Sequence, residues 1–508
     1  MNRKAGIILS STLMAFEVFS TLLLTPFIIR TLGQAEYGVY KLVSAVNAYL
    51  LLLDLGIGTA VTRYIAKYRT TGDRENERRF LGVSTIFYGS VAALAVILGA
   101  VLVLLFPTVF AKGLTEGETL LGQKLLFISM LNSAAALGTA ASSNTIIAYE
   151  RFYVSRGASI VQIILRMALT YAALKLGFGS MGIVTINLAL TILCRAFFVL
   201  YVRFGIGLRA VFRGTSRDFI RGVVVYSSLI FVQMVATQLN FSVDQVLIGS
   251  LVASSSTILA VYGVGTQIVQ YFRSIGSAFT DVLMPGIVRM VESGGDSERI
   301  LSEMVRVGRI IFMCLLFIWV VFAVNGAEFI SLWAGEENSR AYIVAVLLMS
   351  AYTFSITETV GLQVLWAMNK HKEQAILKLA VVLLNILLTA VLIVWKPIEG
   401  AAAGTFISIV LGDVVVMNIL FKRKIGISLK RYYAGLLKGI LPSAAVAAAV
   451  GAAAYFLLPD GWLWLVIKCA AMAAAYCAAM LLFGMNQYEK GLLKSVFDKI
   501  KSLGGRKE

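Results

Sequence analysis

The chain has 508 residues, of which 59% are apolar and only 14% are charged. Soluble globular proteins carry about 25% charged residues, so this composition excludes an ordinary soluble domain. Inside a bilayer, backbone polar groups must be satisfied within the chain, which leaves helices or closed barrels. The apolar stretches at 80–106 and 376–395 lack the alternation of barrel strands. We therefore predict an all-α integral membrane protein.

Apolar runs recur along the whole chain, each about 20 residues long and thus able to cross a ~30 Å hydrocarbon core as a helix. The first run follows the basic start Arg3-Lys4 and is too long for the apolar part of a signal peptide, so we predict a retained helix. About fourteen transmembrane helices are expected from runs of this length. Their approximate bounds are 7–29, 39–61, 80–106, 122–147, 157–175, 181–201, 222–243, 258–285, 307–324, 341–367, 376–395, 399–420, 438–458 and 462–484.

The basic residues are distributed unevenly between the predicted loops. Most of the 45 Lys and Arg residues lie in alternate loops and at the two termini. Cytoplasmic loops are enriched in Lys and Arg, so this asymmetry predicts that these loops and both termini are cytoplasmic. The net charge of +18 is then explained by topology and by contact with anionic lipid, and we predict no nucleic-acid partner. The basic loops are 63–79, 149–156, 201–221, 289–309, 369–378 and 421–438.

Short motifs occur twice, about six predicted helices apart. Because six is even, both copies enter the bilayer in the same direction, which indicates a parallel repeat. Chance similarity among small and apolar residues is the alternative. The pairs are Tyr37-Gly38-Val39 with Tyr262-Gly263-Val264, TGDRENE at 71–77 with GGDSER at 294–299, and FGIGLR at 204–209 with IGISLK at 425–430.

The repeat predicts an architecture of two six-helix lobes around a central cavity, followed by a C-terminal helix pair. The N-lobe would span 1–219, the C-lobe 220–437, and the last pair with its basic tail 438–508. A cleft between two such lobes is where a transporter can bind a substrate and expose it alternately to either side. No G-x-x-x-x-G-K-[ST] motif is present, which argues against direct use of ATP.

Two regions of the chain, 26–80 and 238–290, carry further motifs that resemble a known family. The motifs are Arg30-x-Leu32-Gly33, Tyr37-Gly38, Leu53-Asp54-Leu55-Gly56 with Arg63, Asn240, Asp244-Gln245, Leu247-Ile248-Gly249, Tyr262-Gly263 and Pro285. They resemble the Wzx-type oligosaccharide flippases, in the polysaccharide-transport branch of the multidrug/oligosaccharidyl-lipid/polysaccharide (MOP) exporter superfamily. The resemblance implies fourteen helices in two lobes and a polar, often cationic cavity lined mainly by helices 1, 2, 7 and 8.

The resemblance also implies a function: transfer of undecaprenyl-diphosphate-linked oligosaccharides from the cytoplasmic to the outer leaflet of the bacterial inner membrane. The expected partners are that lipid-linked substrate, membrane lipid and the polysaccharide polymerase machinery, and the expected state is a monomer. No cofactor is expected, and proton, sodium or membrane potential are the candidates for coupling. One alternative is an exporter of another lipid or drug. A membrane glycan polymerase or ligase is a second alternative, which the short outer loops without histidine disfavour.

Arginines within the predicted spans are the first candidates for substrate contact. Intramembrane charges usually face a cavity or a partner, and the planar guanidinium can bind two oxygens of a diphosphate at once. Arg273, in the middle of QIVQYFRSIGSAF, is the leading candidate, with an ion pair to Asp244 or Glu17 as the alternative. Arg166 and Arg195 lie inside predicted helices 5 and 6, where helix-packing ion pairs are equally compatible with the sequence.

The remaining candidates are polar or charged residues of helices 1, 2, 7 and 8. Asn240 and Asp244 are four residues apart and share a helix face, which would bind sugar hydroxyls or a cation, or tie helix 7 to its neighbours. We expect Glu17, near the middle of helix 1, to be a buried carboxylate. Glu17 and Asp244 are the candidates for ion coupling, with a salt bridge as the alternative for Glu17. Substrate contacts are also expected from Arg30, Lys41, Asn47 and Gln270, with interfacial snorkelling or helix packing as their ordinary roles.

Overall fold

The structure is a computed structural model that describes residues 3–212, 231, 234–235, 237–240, 242–292, 296–368 and 371–504. Every regular element in this part of the chain is helical, which confirms the predicted all-α class. Contacts divide the chain into unit 1, Met1–Gly263 with Val382–Gly404, and unit 2, Val264–Val381 with Thr405–Glu508. The predicted boundary at 219/220 lies outside the described residues.

Unit 1 contains the helices of the first half of the chain and parts of three later ones. Helices α9, α13 and α14 are each divided between the two units. The helices of unit 1 are α1 (Arg3–Leu50), α2 (Ile57–Thr71), α3 (Arg74–Val109), α4 (Glu116–Gly138), α5 (Ala140–Ala148), α6 (Phe152–Lys175), α7 (Gly179–Leu200) and α8, which is helical over 237–240 and 242–251, with the start of α9 (Ser256–Glu292).

Unit 2 contains the remainder of α9 and the helices that follow it. Of these, α16 is a short helix of 9 residues that precedes α17, and α19 is the last described helix. The helices are α10 (Ser297–Ala334), α11 (Ala341–Thr357), α12 (Thr359–Ala367), α13 (His371–Leu392), α14 (Pro397–Ile409), α15 (Met417–Lys424), α16 (Leu429–Leu437), α17 (Ile440–Leu457), α18 (Trp462–Ala479) and α19 (Gln487–Gly504).

The helix lengths confirm a protein that crosses the membrane many times. In the described residues, 10 helical stretches are long and apolar enough to span a bilayer, and Ile376–Leu392 is a shorter apolar helix. One stretch, Thr12–Thr71, contains the first two predicted spans, and they are separated within α1 at Gly33, whose φ of 75° and ψ of 171° are non-helical. The predicted span at 222–243 lies largely outside the described residues.

The second pair of repeated motifs forms equivalent helix starts. Asp73 caps α3 by accepting a hydrogen bond from the Asn76 amide at 3.1 Å, and Asp296 caps α10 by accepting one from the Arg299 amide at 2.9 Å. Hydrogen bonds from Asn76 lower the pKa of Asp73. Because a depressed pKa favours the ionised form, this cap is lost as the pH falls through that pKa.

The third pair of motifs forms equivalent turns at the ends of two helical hairpins. Gly207 and Gly426 both adopt positive φ, at 74° and 81°. The residue after each glycine, Leu208 or Ile427, is 2% exposed. A glycine followed by a buried apolar residue anchors the chain as it leaves the helix. The structural match is thus centred on Gly207 and Gly426, two residues away from the register of the sequence motifs, in which Gly205 aligns with Gly426.

A cluster around Tyr149 joins two basic loops of unit 1. The Tyr149 hydroxyl donates a hydrogen bond to the buried Glu77 carboxylate and accepts one from Arg74 at 3.0 Å. Arg69 stacks on the Tyr149 ring, 4.9 Å from its centroid, and donates to the carbonyl of Ala148 at 3.3 Å. Burial and the bond to Glu77 raise the pKa of Tyr149 to about 12. The loops after α2 and α5 therefore lie on the same side of unit 1, as the alternation of basic loops predicts.

A buried arginine fixes the basic end of unit 2. Arg309 of α10 is 5% exposed and forms an ion pair at 2.6 Å with Glu489 of α19, which is 4% exposed. Its remaining donors bind the carbonyl oxygens of Gly435 at 2.7 Å, Lys438 at 2.8 Å and Gly484 at 2.8 Å. A single side chain therefore satisfies carbonyls at two interhelical turns.

A second buried ion pair lies toward the other end of α10. Lys468 of α18 is fully buried and lies 2.7 Å from Glu328 of α10. The other carboxylate oxygen of Glu328 accepts the backbone amide of Gly461 at 3.0 Å. Both ends of α10 are thus joined to the C-terminal hairpin by charge pairs.

We expect the Arg309→Ala substitution to destabilise unit 2 strongly. It leaves the buried Glu489 carboxylate without its counter-charge and removes a donor from three carbonyls, and breaking a buried pair from one side costs about 3–5 kcal/mol. The measurement is the thermal unfolding midpoint of the purified protein in detergent. The matched control is Arg431→Ala, because Arg431 pairs with Glu298 at the surface, with side-chain exposures of 67% and 71%, and such pairs contribute less than about 1 kcal/mol. Equal midpoints for the two variants would contradict the assigned role of Arg309.

Candidate functional site

A buried polar network in unit 1 joins α8 to α13. Asp244 of α8 is 2% exposed and accepts a hydrogen bond from the Thr389 hydroxyl at 3.1 Å. One turn away, the side-chain amide of Asn385 donates to Oδ1 of Asn240 at 2.6 Å. The Thr389 hydroxyl also lies 3.0 Å from Oδ1 of Asn385. The four side chains form one continuous hydrogen-bonded set within apolar helices.

The spacing of these residues explains why they meet. Asn240 and Asp244 are four residues apart, as are Asn385 and Thr389, so each helix presents its two polar groups on one face. Helix α14 approaches the same point at Gly404, where an added Cβ would lie 2.6 Å from the Thr389 hydroxyl oxygen. Glycine therefore permits a close helix contact beside the network.

The repeated Tyr-Gly-Val motif lies at the crossing of α1 and α9. An added Cβ on Gly38 would lie 1.7 Å from the carbonyl oxygen of Ser256, and one on Gly263 would lie 2.8 Å from Cγ of Lys41. Each motif glycine therefore packs against the helix that carries the other copy. The hydroxyl of the fully buried Tyr262 donates to Asp244, which connects this crossing to the polar network.

A loop contact lies beside this crossing in unit 1. The Ser255 amide donates to the carbonyl of Gly113 at 2.7 Å, and an added Cβ on Gly113 would lie 2.0 Å from the carbonyl oxygen of Gly249. Gly113 follows α3, whereas Gly249 and Ser255 lie at the turn between α8 and α9. Backbone groups of predicted helices 1–6 and of predicted helices 7 and 8 are therefore in direct contact at this end.

The basic candidates of unit 1 occupy half-buried or exposed positions. The Lys41 ammonium lies 5.3 Å from the centroid of the Tyr37 ring. Arg166 of α6 is half-buried and close enough to the Tyr40 hydroxyl of α1 to interact electrostatically. Arg195 of α7 is half-buried, with its guanidinium 5.9 Å from the Phe198 ring, and Arg30 is exposed.

The other predicted residues of unit 1 are polar side chains of α1. Oδ1 of Asn47 accepts a hydrogen bond from the Ser133 hydroxyl of α4 at 3.1 Å. Glu17 is exposed, whereas the sequence favoured a buried carboxylate at this position in the first span. The Glu17 carboxylate therefore lies in a more exposed environment than the buried carboxylate of Asp244.

Two predicted site residues belong to unit 2. The Arg273 guanidinium of α9 lies 4.7 Å from the centroid of the Tyr352 ring of α11, and its side chain is half-buried. Gln270, one turn earlier on α9, is exposed. A cation over an aromatic face is attracted by the negative face of the ring.

The structure unites Asn240 with Asp244 and adds three residues that sequence analysis did not single out. These are Asn385, Thr389 and Tyr262, all buried. The available signal was the Asn385-x3-Thr389 pair within the apolar run 376–395, which matches the Asn240-x3-Asp244 spacing. Such pairs also serve ordinary helix packing, so spacing alone could not distinguish the two uses.

Comparison with protein families gives one match over more than half of the chain. Residues 3–291 match the model of a family described as polysaccharide biosynthesis protein. None of the curated proteins matches this chain in sequence.

Solved structures with a similar fold include members of the MOP superfamily. The inward closed conformation of the lipid II flippase MurJ is 16% identical, with a TM-score of 0.70, and the match covers 94% of this chain and 97% of that one. An inward-facing multidrug MATE-family transporter is 15% identical, with a TM-score of 0.60, over 80% and 96%. A MOP transporter from Pyrococcus furiosus is 17% identical, with a TM-score of 0.56, over 86% and 97%. At these identities the likeness establishes the fold.

We expect the Gly38→Ala substitution to disrupt the crossing of α1 and α9. The new methyl group would meet the Ser256 carbonyl oxygen at 1.7 Å, and overpacking of this kind costs about 1–3 kcal/mol or more. The thermal unfolding midpoint of the purified protein should therefore fall. The control is Gly89→Ala in α3, where no atom lies within 4 Å of the added Cβ. A Gly38→Ala midpoint at or above that of Gly89→Ala would show that the two helices are not closely packed there.

Proposed function

This chain belongs to the polysaccharide biosynthesis protein family, and on that premise we propose that it flips undecaprenyl-diphosphate-linked oligosaccharides across the membrane by alternating access. The direction is from the cytoplasmic to the outer leaflet of the bacterial inner membrane, with both termini in the cytoplasm. The polymerase machinery at the outer face would consume the flipped units. The proposed activity is transport, with no chemical change to the substrate.

The observation that carries this proposal is the presence of half-buried cationic side chains inside apolar helices. Arg166, Lys41 and Arg273 lie within the membrane-spanning part of the sequence and are half-buried. Moving an uncompensated diphosphate into hydrocarbon costs several kcal/mol or more, so its path requires cations. The Lys41 ammonium lies 5.3 Å from the centroid of the Tyr37 ring, and the Arg273 guanidinium lies 4.7 Å from that of Tyr352.

Alternating access is supported by the crossing of α1 and α9. In the predicted topology, the contacts of Gly38 with Ser256 and of Gly113 with Ser255 lie on the outer side. They are made by backbone atoms and small residues, without an ion pair at these four positions. We infer that these contacts separate when the substrate path opens outward, since they join helices of the two predicted repeats.

Coupling to a monovalent cation is proposed at Asp244. Its carboxylate accepts a hydrogen bond from the Thr389 hydroxyl, which connects it to the side-chain oxygen atoms of Asn385 and Asn240. Hard cations prefer carboxylate, carbonyl and hydroxyl oxygens. A buried carboxylate within a set of such oxygens can exchange its hydroxyl donors for a cation by rotation of the hydroxyl groups.

The first test concerns the substrate. In cells that lack this chain, undecaprenyl-diphosphate-linked oligosaccharide should accumulate and surface polysaccharide should disappear, because the units remain at the cytoplasmic leaflet. Mass spectrometry of lipid extracts and immunoblotting of the polymer measure both effects. An unchanged lipid-linked pool with altered drug susceptibility would support a drug exporter. Glycosyl transfer or hydrolysis by the purified protein would support an enzyme.

Complementation with Arg273 variants tests the proposed diphosphate contact. We expect Arg273→Ala to abolish surface polymer at normal protein level, and Arg273→Lys to restore it only in part, since lysine keeps the charge but loses the planar fork. The control is Arg431→Ala, at an exposed position of the same unit. Full polymer production by Arg273→Ala would remove this residue from the substrate path.

The coupling site is tested by ion-dependent stability. The unfolding midpoint of the purified protein should rise in sodium chloride relative to equimolar choline chloride, because a bound ion at 100 times its Kd stabilises by about 2.7 kcal/mol. Asp244→Asn should abolish this difference and Thr389→Val should reduce it. Asp460→Asn, whose side chain is 79% exposed, should respond like the wild type. An identical response of the wild type to both salts would exclude sodium binding at Asp244.

A further inference from the structure

A second buried carboxylate, Glu358, lies in unit 2 and is not used by the proposed transport mechanism. It occupies the break between α11, which ends at Thr357, and α12, which begins at Thr359. Its side chain is 2% exposed. Oε1 of Glu358 accepts a hydrogen bond from the Asn418 side-chain amide of α15 at 2.7 Å and another from the Tyr433 hydroxyl of α16.

The second carboxylate oxygen has no donor. Oε2 of Glu358 and Oδ1 of Asn418 are both buried and form no hydrogen bond with any residue that the structure describes. Both atoms are acceptors when Glu358 is ionised, so neither can satisfy the other. A buried acceptor without a partner is costly, and more so when it carries charge. The ionised form of Glu358 is therefore poorly accommodated by its surroundings.

The charged neighbours of Glu358 do not compensate for its charge. Asp413, in the π-helical segment Val410–Val416 that joins α14 to α15, pairs with Lys378 of α13 at 2.9 Å and accepts a hydrogen bond from Ser355 at 3.3 Å. Lys378 is thus engaged by a second carboxylate, and the Asp413 charge acts on Glu358 with like sign.

The elements packed around Glu358 contribute no counter-charge to it among the described side chains. On α10, Arg306 pairs with Glu303 and Arg309 with Glu489. On α16, the residues facing the carboxylate are the phenols Tyr432 and Tyr433, and Arg431 pairs with Glu298 at the surface.

We propose that Glu358 is a proton-binding site, in which the protonated Oε2 donates a hydrogen bond to Oδ1 of Asn418. The amide already donates to Oε1, so one added proton forms the second bond of a carboxylic acid–amide pair and satisfies both open acceptors at once. The proton comes from water and is released to water, and no other bond changes. A monovalent cation held between the two oxygens is the competing occupant.

Protonation at this position would act on the packing of three elements. Glu358 lies at a helix break and contacts α15 through Asn418 and α16 through Tyr433. The acid–amide pair adds one bond between the break and α15, whereas loss of the proton leaves Oε2 of Glu358 and Oδ1 of Asn418 without a donor. The protonation state of Glu358 therefore biases how α12 docks on α15 and α16.

The proposal is tested by infrared spectroscopy of the purified full-length protein in lipid nanodiscs. At neutral pH, the wild type should show the C=O stretching band of a protonated carboxyl group, which should disappear as the pH is raised. Glu358→Gln should lack this band. The matched control, Glu373→Gln, changes a glutamate whose side chain is 45% exposed and paired with Lys424, and it should retain the band. Identical neutral-pH spectra for the wild type and Glu358→Gln would overturn the proposal.

Two further measurements test the proposal if Glu358→Gln does not fold and distinguish a proton from a bound cation. Tyr433→Phe retains Glu358 but removes a donor to Oε1, so the band should shift to higher frequency; an unshifted band would overturn the proposal even if Glu358→Gln does not fold. Sodium chloride should leave the wild-type band intact relative to equimolar choline chloride, and its loss in sodium would identify a bound cation instead of a proton. None of these spectra requires transport, so their outcome is independent of the proposed flippase activity.

Discussion

The cost of placing charge and unpaired polar groups in an apolar, water-poor environment controls this structure. Removing the partner of a buried ion lowers the stability of the fold by several kcal/mol. Each charged side chain in these helices therefore needs a nearby counter-charge or hydrogen-bond partner. In unit 2, Arg309 binds Glu489 and three carbonyls, and Lys468 binds Glu328. In unit 1, Asp244 is surrounded by hydroxyl donors instead. Because these partners are far apart in the sequence, the contacts between them constrain the tertiary structure.

Charged side chains in these helices are accommodated in two ways, by ion pairs and by contacts with aromatic rings, and the two differ in their consequences for transport. Ion pairs such as Arg309 with Glu489 neutralise charge and join helices, so they suit parts of the protein that move as rigid bodies. Lys41 and Arg273 lie over tyrosine rings, and each such ring contact contributes only about 0.5–2 kcal/mol. A carrier needs both kinds of contact, since binding must be reversible while the scaffold stays folded.

The sequence was sufficient for features set by local patterns and insufficient for those set by distant partners. Apolar run length predicted the helices, and the repeated aspartates Asp73 and Asp296 occur at equivalent helix starts because capping depends on residues three positions away. Thr389, the α13 partner of Asp244, lies 145 residues further along the chain, and no local signal connects the two. Glu17 shows the same limit: its position in an apolar run suggested burial, but the face it presents is exposed.

The two copies of the internal repeat share packing contacts but differ in their buried polar groups. Gly38 and Gly263 occupy corresponding places in the two copies and both support the crossing of α1 and α9. At the same offset, Asp244 corresponds to Phe19, an apolar residue that is 58% exposed. The copies therefore share the contacts that shape the helices, while the buried carboxylate network occurs in only one of them. Under the proposed coupling, a cation bound at Asp244 would stabilise one copy and leave the other unchanged, and this asymmetry would allow an ion gradient to bias a pseudo-symmetric pair of repeats in one direction.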